Sequence, residues 1–405
     1  MNDVTDKSFW NVYPKLETAI NNASFVAIDA EFTGIHSGES VKFSFFDLLS
    51  HRYSILRDNI QPFNIVQFGI AVFQRNLDEN TYTAECFNFY LFPKPVPFKN
   101  RQLSWQVTAL EFLYKHKFEF NKFINEGISF LDEIDEQLLR DYVNQDNLIN
   151  KLEQLSYEEE DDLKDCKSKI SSWIKKGSKE PSIKLETSSP ILQYLIQKEL
   201  RTKFKNIWTT PEFKSALTYI IIYVIQVDNN RLENALIDSY VGFSAIFRLL
   251  SSSNKPIIGH NLLLDLMFMH QQFYRPLPES YKEFKSNIHR LFPQIYDTKF
   301  LSFELKKLFA SWRINSLSAL YEYFTSKKGA CLAFNSPKVT LNGESHEKSY
   351  HNAVWDAYFA GHIFIKMAHI FCIKKYGPYV QCLIYFNRKN ITHIHIFNNH
   401  KLCYF

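Results

Sequence analysis

Phe25-Val-Ala-Ile-Asp-Ala-Glu-Phe32 is an apolar run that ends in two carboxylates. Successive side chains leave opposite faces of a strand, so Asp29 and Glu31 share one face. At a rise of ~3.3 Å per residue their Cα atoms stand about 6.5 Å apart. That spacing suits two acids gripping one or two hard cations. A lone pair of this kind also occurs wherever a strand end meets solvent. The reading therefore rests on what the rest of the chain supplies.

The chain has 405 residues, 45% of them hydrophobic and 22% charged, the balance of a water-soluble folded protein long enough for one large core or two smaller ones. Its net charge of +4 makes no case by itself for duplex binding, although a basic groove is compatible with it. The six cysteines form no C-x-x-C pair, which argues against a zinc site and a disulfide framework and favours a reducing compartment. The first residues are acidic and lack an apolar core, so no secretory signal is expected. The most apolar run, Leu217 to Val227, is too short to span a bilayer and reads as a buried strand, so no transmembrane segment is expected.

Working outward, Phe9 to Asn22 reads as a helix that leads into the first strand. Ile65–Phe73 and Glu85–Phe92 read as two more strands, a meander at one side of a mixed sheet. Pro93 and Pro95 end the last of them, because proline cannot donate to a ladder. Residues 103–142 take helical spacing, and 143–182 turn polar. The acidic run Glu158-Glu-Glu-Asp-Asp162 reads as a solvated linker or helix face. A helix pattern from Ile191 to Phe204 precedes the Leu217–Val227 strand. Residues 150–235 therefore read as an inserted α+β lobe. It divides a main domain into 1–149 and 236–375, with a tail at 376–405.

Lys255-Pro-Ile-Ile-Gly-His-Asn-Leu-Leu-Leu-Asp265 reads as strand, turn and helix, with Asn261 as N-cap and Asp265 in the first turn, where the helix dipole favours negative charge. Phe292 to Lys299 reads as a strand entering a helix, and 326–348 as a loop. Tyr350-His-Asn-Ala-Val-Trp-Asp356 opens a long helix that runs to about Cys372. Thr392 to Phe397 alternates like a strand, and its His393 and His395 read as surface residues.

Four acids now stand in chain order: Asp29, Glu31, Asp265 and Asp356. Oxygen ligands from separated elements suit Mg²⁺ or Mn²⁺ rather than Zn²⁺. Two such ions about 4 Å apart stabilise the attacking and leaving oxygens of a phosphodiester displacement. His351 precedes Asp356 by five residues, a rotation of about 140° within a helix. Both face one site only if His351 lies at or before the first turn. From there it can take a proton from water as general base.

The motifs F-x-A-I-D-x-E-F-T-G-I, G-H-N-x-L-L-D, D-T-K and H-x-x-x-x-D, in this order, resemble the DEDDh 3′→5′ exonucleases of the poly(A)-specific ribonuclease (PARN) family. The resemblance covers about residues 8–372. It includes non-catalytic stretches, Cys86-Phe-Asn-Phe-Tyr-Leu-Phe-Pro93 and Phe118 to Ile128. Arg275-Pro-Leu-Pro-Glu-Ser-Tyr281, Phe284 to Ile288, Leu291-Phe-Pro293 and Asn206-Ile-Trp-Thr209 look closer to the PARN-like branch, the trimmers of PIWI-interacting RNA precursors.

That resemblance implies a ribonuclease H-like α/β fold, with a five- or six-stranded mixed sheet flanked by helices. It implies two Mg²⁺ (or Mn²⁺) ions on Asp29, Glu31, Asp265 and Asp356, with His351 as the base. It places Phe32, Ile35, Asn261 and Lys299 around the 3′-nucleotide, an aromatic and an aliphatic flanking a base. The substrate would be a single-stranded RNA 3′ end, not DNA, on a small-RNA precursor or else a poly(A) tail. A PIWI protein and a scaffold or adaptor are the expected partners. The expected location is the cytoplasm, with recruitment to the mitochondrial surface or germ granules, and the nucleus as the alternative.

The chain also departs from the family. The tail is too short for the RNA-recognition domain that PARN carries after its nuclease, so none is expected there, and the insert has no Arg-x-x-x-His pair, so RNA binding by the insert itself is not expected. The membrane anchor common among trimmers does not occur before Phe405, which fits a shorter form, a truncated chain or a lineage localised by a partner. An idle RNA-binding scaffold is the third reading, disfavoured by the complete acid set.

Overall fold

The structure is a computed structural model that describes residues 2–37, 47–96, 98–144, 157–175, 182–187, 189–203, 208–213, 218–223, 232–343 and 348–376. The 392–397 alternation with His393 and His395 lies outside these residues. Ten strands are described: β1 (Asn2–Val4), β2 (Phe25–Phe32), β3 (Ile65–Asn76), β4 (Thr81–Tyr90), β5 (Ser182–Thr187), β6 (Trp208–Phe213), β7 (Thr218–Tyr223), β8 (Ile257–Gly259), β9 (Ile295–Asp297) and β10 (Lys338–Leu341). The main sheet runs β1-β4-β3-β2-β8-β9, and β10 also pairs with β4. It is mixed: β2, β3 and β4 form the antiparallel meander, while β8 and β9 run parallel to β2. Seven strands replace the five or six expected.

The alternation of β2 divides the core in two. Val26, Ile28 and Ala30 face one layer, where Phe68, Ile70, Phe243, Phe247 and the helix Phe9–Asn22 pack. Phe25 and Ala27 face the other, beneath the long helix Ala353–Tyr376. Phe25 is fully buried there and stacks on Phe73 with ring centroids 4.7 Å apart. Burying one such ring contributes about 1.5–3 kcal/mol. Asp29 and Glu31 continue this second face to the strand end, so the closing helix that covers Phe25 also covers the acids.

Gly69 lets the helix come that close. It pairs with Asp29 across the sheet, and an added Cβ would lie 2.1 Å from the Ala353 carbonyl oxygen. We expect Gly69→Ala to destabilise the fold by about 1–3 kcal/mol, the usual cost of overpacking. Activity should fall further, by about 10²-fold, because Asp356 rides on the displaced helix. Thermal melts and turnover measured together check this; a silent Gly69→Ala would mean the contact is soft.

The segment 326–348 is not the continuous loop expected. It carries a helix, Lys327–Leu332, and β10, which pairs parallel to β4. Residues 103–142 break into three helices, Val107–Lys115, Phe120–Glu126 and Glu133–Asn144. The helix Leu49–Ile60 was not foreseen. Between residues 157 and 223 a separate antiparallel sheet, β5-β7-β6, packs with Cys166, Ile170, Leu192 and Ile196. The acidic run opens the helix Tyr157–Lys175, with Glu160 and Asp161 exposed. No helix among the described residues is long and apolar enough to cross a membrane.

Candidate active site

Three of the four acids meet. Asp29 and Glu31 from β2 and Asp356 from the first turn of the closing helix bring carboxylate oxygens within 4.8 Å of one another. Asp265 arrives from the first turn of the short helix Leu263–Met269 and is buried. Its charge bears on both strand acids. Burial raises all four pKa values. Asp29 is pushed well above the ordinary range, first by burial, then by Asp356, Asp265 and Glu31. Glu31 rises to about 8 by burial and the charges of Asp356 and Asp265. Burial lifts Asp265 to about 7 against a backbone hydrogen bond from Ala30. It lifts Asp356 to about 7 against the His351 N–H.

Acids held this way repel one another once ionised, and a multivalent cation is the natural remedy. One atom supports that fit directly. Asp356 Oδ2 accepts the His351 N–H at 3.0 Å, but the buried Oδ1 has no hydrogen-bond partner. A buried carboxylate oxygen left unpaired is costly, and a metal ion would satisfy it. The all-oxygen donor set matches a hard divalent cation.

A pH prediction follows. In the unfolded chain these groups take ordinary carboxylate values, near 3.8 and 4.5. In the folded chain three of them lie at about 7 or about 8. The native state therefore holds more protons across that window, and metal-free stability falls as pH rises from about 4 to about 8. Melting in chelator should drop between about pH 5.5 and about pH 8.5, and Mg²⁺ should close most of the gap. A melting temperature that ignores both pH and Mg²⁺ would remove the case for a cation here.

Residues that sequence reading missed hold the acids in place. Gln67 pairs with Glu31 across the sheet, is buried, and accepts the Ala353 N–H at 3.1 Å, which caps the closing helix. Asp297 gathers four backbone N–H groups: Asn261 (3.0 Å), Leu262 (3.0 Å), Lys299 (2.8 Å) and Phe300 (3.4 Å). One carboxylate thus ties the start of the Asp265 helix to the start of the helix Thr298–Leu308. Asn261 is not the N-cap the sequence suggested. That position belongs to Leu262, while Asn261 adopts φ 66° and turns its side chain to Lys299, with Lys299 Nζ 3.4 Å from Asn261 Oδ1. The distant Asp297 carboxylate does the capping that Asn261 was expected to do.

Phe32 follows a bulge in β2 and stacks on Phe268 with centroids 4.3 Å apart, leaving its ring half-buried. Phe268 belongs to the Asp265 helix, so Phe32 packs against that helix. Ile35 is half-buried too, its N–H donated to Gln106 Oε1 at 3.0 Å. His351 lies two residues ahead of the closing helix with φ 61°, a left-handed backbone uncommon outside glycine. Its ring packs edge-on to Phe112 (5.0 Å) and beside His116 (4.3 Å). Burial and the neighbouring His116 lower its pKa, which favours the neutral ring that can accept a proton.

The sequence profile of the CAF1 family ribonucleases matches residues 4–364. The chain belongs to the CAF1 family of ribonucleases. This CAF1-family chain is 36% identical to the pre-piRNA 3′-exonuclease trimmer of Bombyx mori, an alignment covering 91% of this chain and 71% of that one. It is 31% identical to the poly(A)-specific ribonuclease PNLDC1 of Mus musculus, covering 93% and 72%. It is 28% identical to the poly(A)-specific ribonuclease PARN of Danio rerio, covering 91% and 59%. A solved structure of S. pombe Pop2p in its Mg²⁺- and Mn²⁺-bound form aligns over 94% of this chain and 95% of that one, at 15% identity and a TM-score of 0.45. The CAF1-family enzyme is a 3′→5′ exoribonuclease with a mixed α/β fold.

Proposed function

We propose that this enzyme trims 3′ extensions from small-RNA precursors held by a PIWI-type protein, releasing nucleoside 5′-monophosphates one at a time. The convergence of Asp29, Glu31 and Asp356, with one Asp356 oxygen unpartnered, carries the chemistry. The extent of the likeness to the Bombyx trimmer supports the substrate.

Asp29, Glu31, Asp265 and Asp356 would hold two Mg²⁺ or Mn²⁺ ions. When bound, the ions neutralise charge on the scissile phosphate and acidify the attacking water. Asn261 and Lys299 position the terminal nucleotide beside Phe32 and Ile35. His351 accepts the proton of the water that attacks phosphorus. The bond from phosphorus to the upstream 3′-oxygen breaks, that oxygen takes up a proton, and the shortened RNA ends in a 3′-hydroxyl. A PIWI-type partner would hold the RNA body and set the stop point. It would supply as effective concentration the affinity that a chain of net charge +4 lacks. A cytoplasmic site of action, with an adaptor for recruitment, belongs to the same reading.

Shortening of poly(A) tails is the second reading, favoured by the names of the PNLDC1 and PARN relatives. One comparison separates the two: naked against PIWI-loaded RNA bearing the same 3′ extension, with product lengths read on a gel. Defined stops only on loaded RNA support trimming. Fast, adenine-selective digestion of naked tails, indifferent to loading, would replace trimming with deadenylation.

A further inference from the structure

A cavity of about 590 Å³ opens beside the N-terminus of the closing helix. Lys115, His116, Lys117, Lys348, Asn88 and Asn352 line it. We propose that this cavity binds the phosphodiester backbone of the RNA upstream of the cleaved bond, an inference that rests on the exonuclease reading above.

Charge is the first argument. Lys115 and Lys117 are exposed and form no ion pair among the described residues. Lys348 contributes a third cation and donates to the Tyr321 hydroxyl at 2.8 Å. The one acid on the wall, Asp3, is already engaged by Lys122 at 2.5 Å and by the Asn88 amide at 2.8 Å. The balance is positive, and it lines a cleft open to solvent.

Position is the second. Asp29 pairs with Gly69, and Gly69 with Asn88, so Asn88 stands in the same row as the catalytic acids, two strands away. At a strand spacing of ~4.8 Å the offset is about 10 Å. Asn261 and Lys299 follow β8 and β9, on the opposite side of β2. RNA whose last nucleotide rests at Asn261 and Lys299, and whose scissile phosphate lies at the acids, continues toward this cavity. His116 links the two places, since its ring touches that of His351 at 4.3 Å. Asn352 does so as well, because its carbonyl accepts the Asp356 N–H at 3.0 Å. Lysines spaced along a groove bind a strand through its phosphates without regard to sequence, as a trimmer of varied 3′ ends requires.

The test is the Lys115→Gln/Lys117→Gln double variant of the whole chain, assayed with Mg²⁺ on a dinucleotide and on a decanucleotide with the same 3′ end. A dinucleotide has no phosphate upstream of its scissile bond. The KM for the decanucleotide should rise about tenfold, two exposed ion contacts near the upper end of their usual worth, with kcat unchanged. The dinucleotide should be cleaved as by wild type. The slope of log(kcat/KM) against log salt should lessen by about 1.4, two single-strand phosphates' share. Equal effects on both substrates, or none on either, would overturn the proposal.

Decanucleotide binding to Asp29→Asn, with and without the lysine changes, reads the same difference without turnover. An inert wild type therefore sinks the catalytic reading and leaves the cavity testable. A double variant that binds RNA normally but loses polyglutamate would assign the cavity to an acidic protein segment instead.

Discussion

Asp29→Asn is expected to abolish RNA hydrolysis and to raise the melting temperature of the metal-free protein. The first effect would be the loss of one acid of the cluster that could hold the metal. Metal ligation of a phosphodiester contributes several kcal/mol of charge stabilisation in the transition state, so the rate should fall by about 10⁴-fold or more. The second effect distinguishes this site from a structural one. Asp29 is the acid on which burial and three neighbouring carboxylates all act in the same direction. Asparagine keeps the shape and removes the repulsion. An ordinary buried ion pair would respond with the opposite sign, because removing one partner strands the other. Single-turnover assays and melts in chelator at about pH 8 give both numbers, and a variant that is inactive but less stable would contradict the argument.

His351→Ala should lower the chemical step by about 10²–10⁴-fold, the usual reach of general base catalysis. Mg²⁺ affinity should hardly change. The contact from His351 to Asp356 is made by its backbone N–H, which alanine retains. At saturating Mg²⁺ the wild-type rate should fall in acid as the imidazole protonates. Its lowered pKa places that fall below the usual histidine range, and the limb should vanish in the variant. His51, exposed on the helix Leu49–Ile60, supplies the control and should be near silent when changed to alanine. Equal losses in the two variants, or an unchanged pH profile in His351→Ala, would remove His351 from the chemistry.

The acids were legible in the sequence because each belongs to a local pattern. Asp29 and Glu31 sit in an alternating strand, and Asp265 and Asp356 sit in the first turns of helices. The placement of His351 ahead of its helix also followed from spacing. What the sequence did not disclose depends on distant partners. Gln67 reads as a polar residue in a strand until the helix start at Ala353, 286 residues later, donates to it. Asp297 reads as part of a strand-to-helix turn until the Asn261 backbone reaches it from 36 residues away. The same holds for β10, whose short stretch alternates between half-buried and exposed side chains and gains its strand character only by pairing with β4.

The dependence on Ala353 and Asp356 also orders events in time. A chain is made from its N-terminus, and domains fold as their residues emerge. Asp29 and Glu31 appear early, but Asp356 and the helix that seats it, Ala353–Tyr376, follow about 320 residues later. A nascent chain therefore carries Asp29, Glu31 and then Asp265 but no complete site until that helix is made. An RNA-degrading enzyme born beside its own messenger stays harmless until that late helix has been made.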